Sequence, residues 1–71
     1  MCLAIPGKII EIKGDSATVD YDGVLKKIDI SMIDADVGDF VVANAGFAIK
    51  KVDKKEAKEA IRLFQEISGQ D

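Results

Sequence analysis

Turn-forming residues recur so closely through the first two-thirds of this chain that only short strands fit between them. Gly14-Asp15, Asp22-Gly23, the irregular connection from Ser31 to Gly38, and Asn44-Ala45-Gly46 divide the sequence into brief segments with a two-residue period. Ala17, Val19 and Tyr21 alternate with Thr18 and Asp20, as on a strand with one buried face. Asp22-Gly23 suits a two-residue hairpin, because both central residues of a type I′ turn need positive φ. Val24, Lys26, Ile28 and Ile30 mark the returning strand, with Lys27 and Asp29 on its other face. Ile9 to Lys13 reads as the first strand, Phe40 to Ala43 as one apolar on both faces, and Phe47 to Val52 as the last. In the connection, Met32 and Ile33 are expected to anchor to the core; Phe47, beginning a strand after Gly46, is assigned to the core as well.

Five short strands in so little chain predict a mainly-β fold, a small OB-like five-stranded β-barrel, since closure removes exposed strand edges. Beyond Val52 the period changes. Ala57, Ala60, Ile61, Phe64 and Ile67 recur at intervals of three and four, so a C-terminal α-helix from about Lys54 to Ser68 should pack an apolar face on the barrel. Asp53 and Glu56 have capping-box spacing, and Gly69 is a stop signal. The expected organisation is one domain over residues 1–71, with the barrel at about 1–52 and the helix at about 53–68.

Composition narrows the function. At 71 residues the chain has a thin core and little room for a deep catalytic pocket. A formal charge of −3 opposes the electrostatic attraction behind non-specific nucleic-acid binding. No apolar run approaches the length of a membrane span. The N-terminus lacks the pattern of a secretory signal, so a cytoplasmic location is expected. With no His, one Cys and one Arg, the chain cannot assemble a Ser/His/Asp triad, a Cys/His pair or a four-ligand Cys/His zinc site, and no enzymatic activity is expected. Asp34, Asp36 and Asp39 read as solvated loop charges; the run from Asp34 to Gly38 matches a calcium loop only in part. Lys50, Lys51, Lys54, Lys55 and Lys58 form either a solvated face or a docking patch for an acidic surface.

The lone cysteine, Cys2, stands out by position. Cys is small enough for the initiator Met to be removed, which would place the thiol beside a free α-amino group whose positive charge favours thiolate, the form that binds soft metals. A single thiolate still needs a partner to complete a coordination sphere. The competing reading makes Cys2 a small hydrophobe tucked under Leu3 and Ile5. Pro6-Gly7 restricts the preceding residue to extended geometry, so Cys2 to Ile5 should project as an arm. Its strip of Leu3, Ala4 and Ile5 is either an edge strand packed on the barrel or a docking arm.

The opening MCLAIPGK, the Val19-Asp20-Tyr21 stretch with Gly23-Val24, and Gly38-Asp39-Phe40-Val41-Val42 leading to Ala45-Gly46-Phe47-Ala48-Ile49 together resemble the hydrogenase maturation chaperones HypC, HupF and HybG. That resemblance implies an accessory chaperone for assembly of the [NiFe]-hydrogenase metal site. Its implied partners are the iron-sulfur protein HypD and the precursor of the hydrogenase large subunit, with no nucleic acid or membrane partner. The implied cargo is iron carrying cyanide and carbon monoxide ligands, held transiently and in complex with a partner. On this resemblance Cys2 is the iron ligand, and the segment Cys2, Leu3, Ala4, Ile5, Pro6 and Gly7 meets the partner. Many family members carry a His two residues before the Gly of the G-F-A-I segment, where this chain has Asn44, which does not titrate near neutrality. Asn44, Gly46 and Phe47 are secondary candidates on the same ground. An alternative from another class is an OB-type single-stranded nucleic-acid module stacking bases on Tyr21, Phe40 and Phe47.

Overall fold

A computed structural model describes residues 5–68, with side chains placed through residue 63. Five strands, β1 (Gly7–Lys13), β2 (Ser16–Tyr21), β3 (Val24–Asp29), β4 (Phe40–Asn44) and β5 (Phe47–Val52), precede one helix, α1 (Lys54–Ser68). The strands close into a barrel in the order β1-β2-β3-β5-β4. The expected mainly-β barrel with a C-terminal helix is therefore the observed architecture.

Turn chemistry explains the hairpins. Gly14 (φ 60) opens the two-residue β1–β2 turn, the position at which a type II′ turn needs glycine. Asp22 (φ 55) and Gly23 (φ 97) form the β2–β3 turn with both central residues left-handed, as the sequence predicts. Asp20 braces that turn by accepting the Gly23 N–H at 2.7 Å. β2 pairs antiparallel with β3 along its whole length, from Ser16 opposite Asp29 to Tyr21 opposite Val24.

The core is a cluster of Ile9, Ala17, Val19, Ile28, Ile30, Val41 and Ala48, with Ile12, Tyr21, Ile33, Ala35 and Ala43 packed around it. Ile9, Val19 and Val41 are fully enclosed, each contributing about 1.5–3 kcal/mol of burial. Ile9 and Ile12 are three residues apart, a spacing that simple alternation would send to opposite faces. A bulge at Ile10 resolves this: Ile9 pairs with Val19 and Glu11 with Thr18, so the extra residue lets both isoleucines serve the core.

Two expected anchors lie elsewhere. Met32 is exposed (68%), because its neighbours Ile33 and Ala35 fill the core position that the connection offers. Phe47 is also exposed, because Ala48 takes the inward place on β5 and alternation turns Phe47 outward. Phe40, by contrast, is buried.

β1 and β4 complete the barrel through Gly7 opposite Val41 and Lys8 opposite Phe40. The connection before β4 extends that seam: the Ile9 N–H donates to the Asp39 carbonyl at 2.9 Å, and the Gly38 N–H donates to the Ile9 carbonyl at 2.8 Å. The Asp39 carboxylate steadies the turn by accepting the Asp36 N–H at 2.8 Å, and it lies 3.7 Å from Lys51 Nζ. At the helix start Asp53 is the N-cap, its carboxylate accepting the Lys55 N–H at 3.1 Å. Ala57 one turn on is fully buried and Ile61 half-buried, while Ala60 and Leu63 are exposed. The expected contributions of Phe64, Ile67 and Gly69 lie outside the described side chains and residues.

Candidate functional site

The two halves of the barrel meet unevenly. β3 joins β5 in parallel at one position only, Asp29 opposite Phe47, supported by the Asp29 N–H donating to the Gly46 carbonyl at 2.8 Å. β5 begins at Phe47, level with Asp29, so toward Val24 strand β3 runs on past it and borders a groove of about 470 Å³ lined by Ile5, Tyr21, Lys26, Lys27, Ile28, Ala43, Ala45 and Gly46.

Each wall has a local cause. On one side, Ala45 (φ 56) and Gly46 (φ 87) make a tight left-handed turn between β4 and β5. Ala in that conformation is strained by about 1–2 kcal/mol. On another side, Tyr21 ends β2 and rests against the start of β1. A Cβ at Gly7 would fall 2.7 Å from Tyr21 Cε1, so glycine there makes room for the ring. Partial burial pushes the Tyr21 phenol pKa above its ordinary value. Below them, Ile28 and Ala43 give an apolar floor, and Lys26, on the same face of β3 as Ile28, supplies a positive charge at the mouth.

Among the sequence-predicted residues, Ile5 and Gly46 line this groove together. Pro6 and Gly7 are buried where the N-terminal segment enters β1. Asn44 is exposed at the end of β4, opposite Phe47 across the Ala45-Gly46 turn. Cys2, Leu3 and Ala4 lie outside the described residues. No cluster of three or more metal-binding side chains occurs among the described residues. Of the three proposed stacking aromatics, Phe40 is buried and presents no face to a base. Sequence reasoning did not single out Lys26 or the strained Ala45 as site residues. The available signal for Lys26 was its alternation with Val24 and Ile28 on β3 and with Ile30 just beyond it, all apolar.

A family model described as the HupF/HypC family matches residues 1–64, a span that includes Cys2, the groove and most of α1. The chain is 46% identical over 69 residues to the "Hydrogenase maturation factor HypC" of Cupriavidus necator, covering 94% of this chain and 77% of that protein. It is 37% identical over 70 residues to the protein of the same name from Helicobacter hepaticus, covering 94% and 81%. It is 41% identical over 68 residues to that of Rhizobium leguminosarum bv. viciae, covering 93% and 91%. The match runs from the N-terminal segment through the barrel and into the helix, and on that extent the chain belongs to the HupF/HypC family.

Proposed function

We propose that this protein is an accessory chaperone of [NiFe]-hydrogenase maturation, acting by binding and delivery rather than by catalysis. Its cargo is the Fe(CN)2CO unit, and its partners are a HypD-like iron-sulfur protein and the precursor of the hydrogenase large subunit. The observation that carries this reading is the family match over residues 1–64, which takes in Cys2 and the Leu3-to-Gly7 segment behind it. Relatives at 37–46% identity bear the name of hydrogenase maturation factors.

The chemistry of the residues is consistent with this role. A thiolate suits low-spin iron, and one ligand shared with a partner can be released when the cargo moves on. Pro6 and Gly7 are buried against the barrel, which fixes where the N-terminal segment enters β1. No helix among the described residues is long and apolar enough to cross a membrane. The proposed site of action is the cytoplasm, where a free thiol stays reduced.

The test is an anaerobic affinity purification of C-terminally tagged protein, wild type beside Cys2→Ala, from cells expressing the maturation machinery. Infrared bands in the cyanide and carbon monoxide stretching region should appear with wild type and vanish with Cys2→Ala, while both proteins unfold at the same temperature. No bands in either, with the iron-sulfur partner missing from both eluates, would overturn the assignment. Lower thermal stability of Cys2→Ala would instead make Cys2 a packing residue.

A further inference from the structure

Among the described residues, the side of β3 that faces the groove is a strand edge whose hydrogen-bonding groups have no partner strand. Along a strand, successive residues direct their N–H and C=O to opposite sides. Asp29 directs its N–H toward the β5 side, where it meets the Gly46 carbonyl. Two and four residues earlier, Lys27 and Leu25 therefore direct theirs the same way, away from β2. At those positions β5 is no longer alongside, since the β3–β5 ladder consists of Asp29 and Phe47 alone. The groove occupies that gap, and both Leu25 and Lys27 are exposed.

We infer that this edge accepts an extended acidic peptide segment of a partner protein, which adds to β3 as a further strand. Several features favour that occupant. The backbone of Leu25 and Lys27 supplies donors and acceptors in strand spacing, the basis of recognition by strand addition. Lys26 and Lys27 line the groove with positive charge, opposite the uncharged Val19 and Thr18 on β2. Neither takes part in an ion pair, Lys51 with Asp39 being the one found among the described residues. Glu11 and Lys13 share a smaller depression with Lys27, while Lys26 faces the groove with no carboxylate in its lining. Exposed Leu25 on β3 and exposed Phe47, level with Asp29 at the start of β5, offer apolar contacts to side chains of the incoming strand. The chain as a whole carries a charge of −3, so an acidic segment is drawn only to local positive patches, of which Lys26 and Lys27 form the one along this free strand edge.

The inference goes beyond iron delivery and does not use Cys2, so its test can fail while the infrared bands remain, and the reverse. The probe is a capped five-residue peptide of alternating Glu and Val, titrated into the full-length protein. Tyr21 is the chain's one tyrosine and there is no tryptophan, so ultraviolet emission reports on the groove wall directly. Binding should change Tyr21 emission and shift the backbone amides of Leu25 and Lys27 in proton–nitrogen NMR spectra. Lys26→Glu should weaken it by about tenfold. The same peptide N-methylated at alternate amides, which removes the strand donors, should bind at least tenfold more weakly, and a Lys-Val peptide should not bind. Amide shifts centred on Lys50 to Lys58 would overturn the inference, as would equal binding of the N-methylated peptide. Slow hydrogen exchange at Leu25 and Lys27 in the free protein would overturn it too, because the edge would then already be paired within the molecule.

Discussion

Gly7 and Tyr21 are in such close apposition that a methyl group on the glycine would lie 2.7 Å from Cε1 and 2.8 Å from Cζ of the ring. Val19 Cγ1 would be closer still, and Val19 is fully buried. Neither neighbour can withdraw freely. Gly7→Ala should destabilise the protein by roughly 1–3 kcal/mol, the usual range for overpacking. For a chain of this size each kcal/mol lowers Tm by about 4–8 °C. Thermal unfolding followed by circular dichroism measures the loss, and tyrosine emission should show the ring displaced. An unchanged Tm would mean that β1 enters the barrel by another path.

Tyr21 should titrate above the ordinary phenol value of about 10, since partial burial disfavours the phenolate. A group whose folded pKa is raised holds its proton more tightly in the native state. The associated stabilisation is complete below the unfolded pKa and is lost as pH rises through the folded one. Stability should therefore decline from about pH 10 upward. Phenolate absorbance measures the titration, native protein beside protein in denaturant, and coincident curves would refute it. Bound peptide at the β3 edge should push the native curve higher.

Ala45 sits at φ 56 in a two-residue turn whose favoured occupants are Asn, Asp and Gly. Ala45→Asn should stabilise the protein by about 1 kcal/mol, and Ala45→Val should destabilise it by at least as much, since a β-branched side chain tolerates this region least. Urea midpoints of the two variants should bracket wild type. Both falling on the same side would show that the turn rearranges.

Asp29 receives two hydrogen bonds from Ser31, one from its hydroxyl and one from its N–H, the latter at 2.7 Å. The hydroxyl is the larger influence holding the Asp29 carboxyl below its ordinary value. A lowered folded pKa gives stability that is present above the unfolded value of about 3.9 and disappears as pH falls through the folded value. Ser31→Ala should move the Asp29 titration, followed by carboxyl carbon NMR, back toward the ordinary value and make acid unfolding begin at higher pH. An unmoved titration would show that the backbone bond alone suffices.

Much of the barrel can be inferred from local chemistry. Asp22-Gly23 announces its hairpin, the alternation around Val19 assigns its inward face, and Asp53 marks the helix start. The failures have a common cause. Met32 and Phe47 are large and apolar, so hydropathy sends both inward, but inward places are allotted by alternation and by competition with neighbours. Ile33 and Ala48 hold them. The bulge at Ile10 is implied by the three-residue spacing of Ile9 and Ile12, although periodicity alone gives no position for the extra residue. The parallel meeting of β3 and β5 joins residues far apart in sequence, and no local pattern specifies where it stops. The candidate site divides in the same way. Its N-terminal motif is plain in the chain, whereas the groove depends on where β5 begins along β3.

That single junction also orders the molecule in time. β1 to β3 form one run of hairpins and β4 with β5 another, each held by partners close in sequence, and such hairpins form in about 1–10 microseconds. Docking one run onto the other requires the intervening connection to close, which pays its chain entropy before any contact rewards it. The Asp29–Gly46 link should therefore be among the last native contacts made during folding. It should also be among the first released when the native protein fluctuates, since local opening concentrates where few bonds hold a seam. Breathing there lengthens the free edge of β3 without disturbing Ile9, Val19 or Val41, so the barrel can widen its mouth while its centre stays intact.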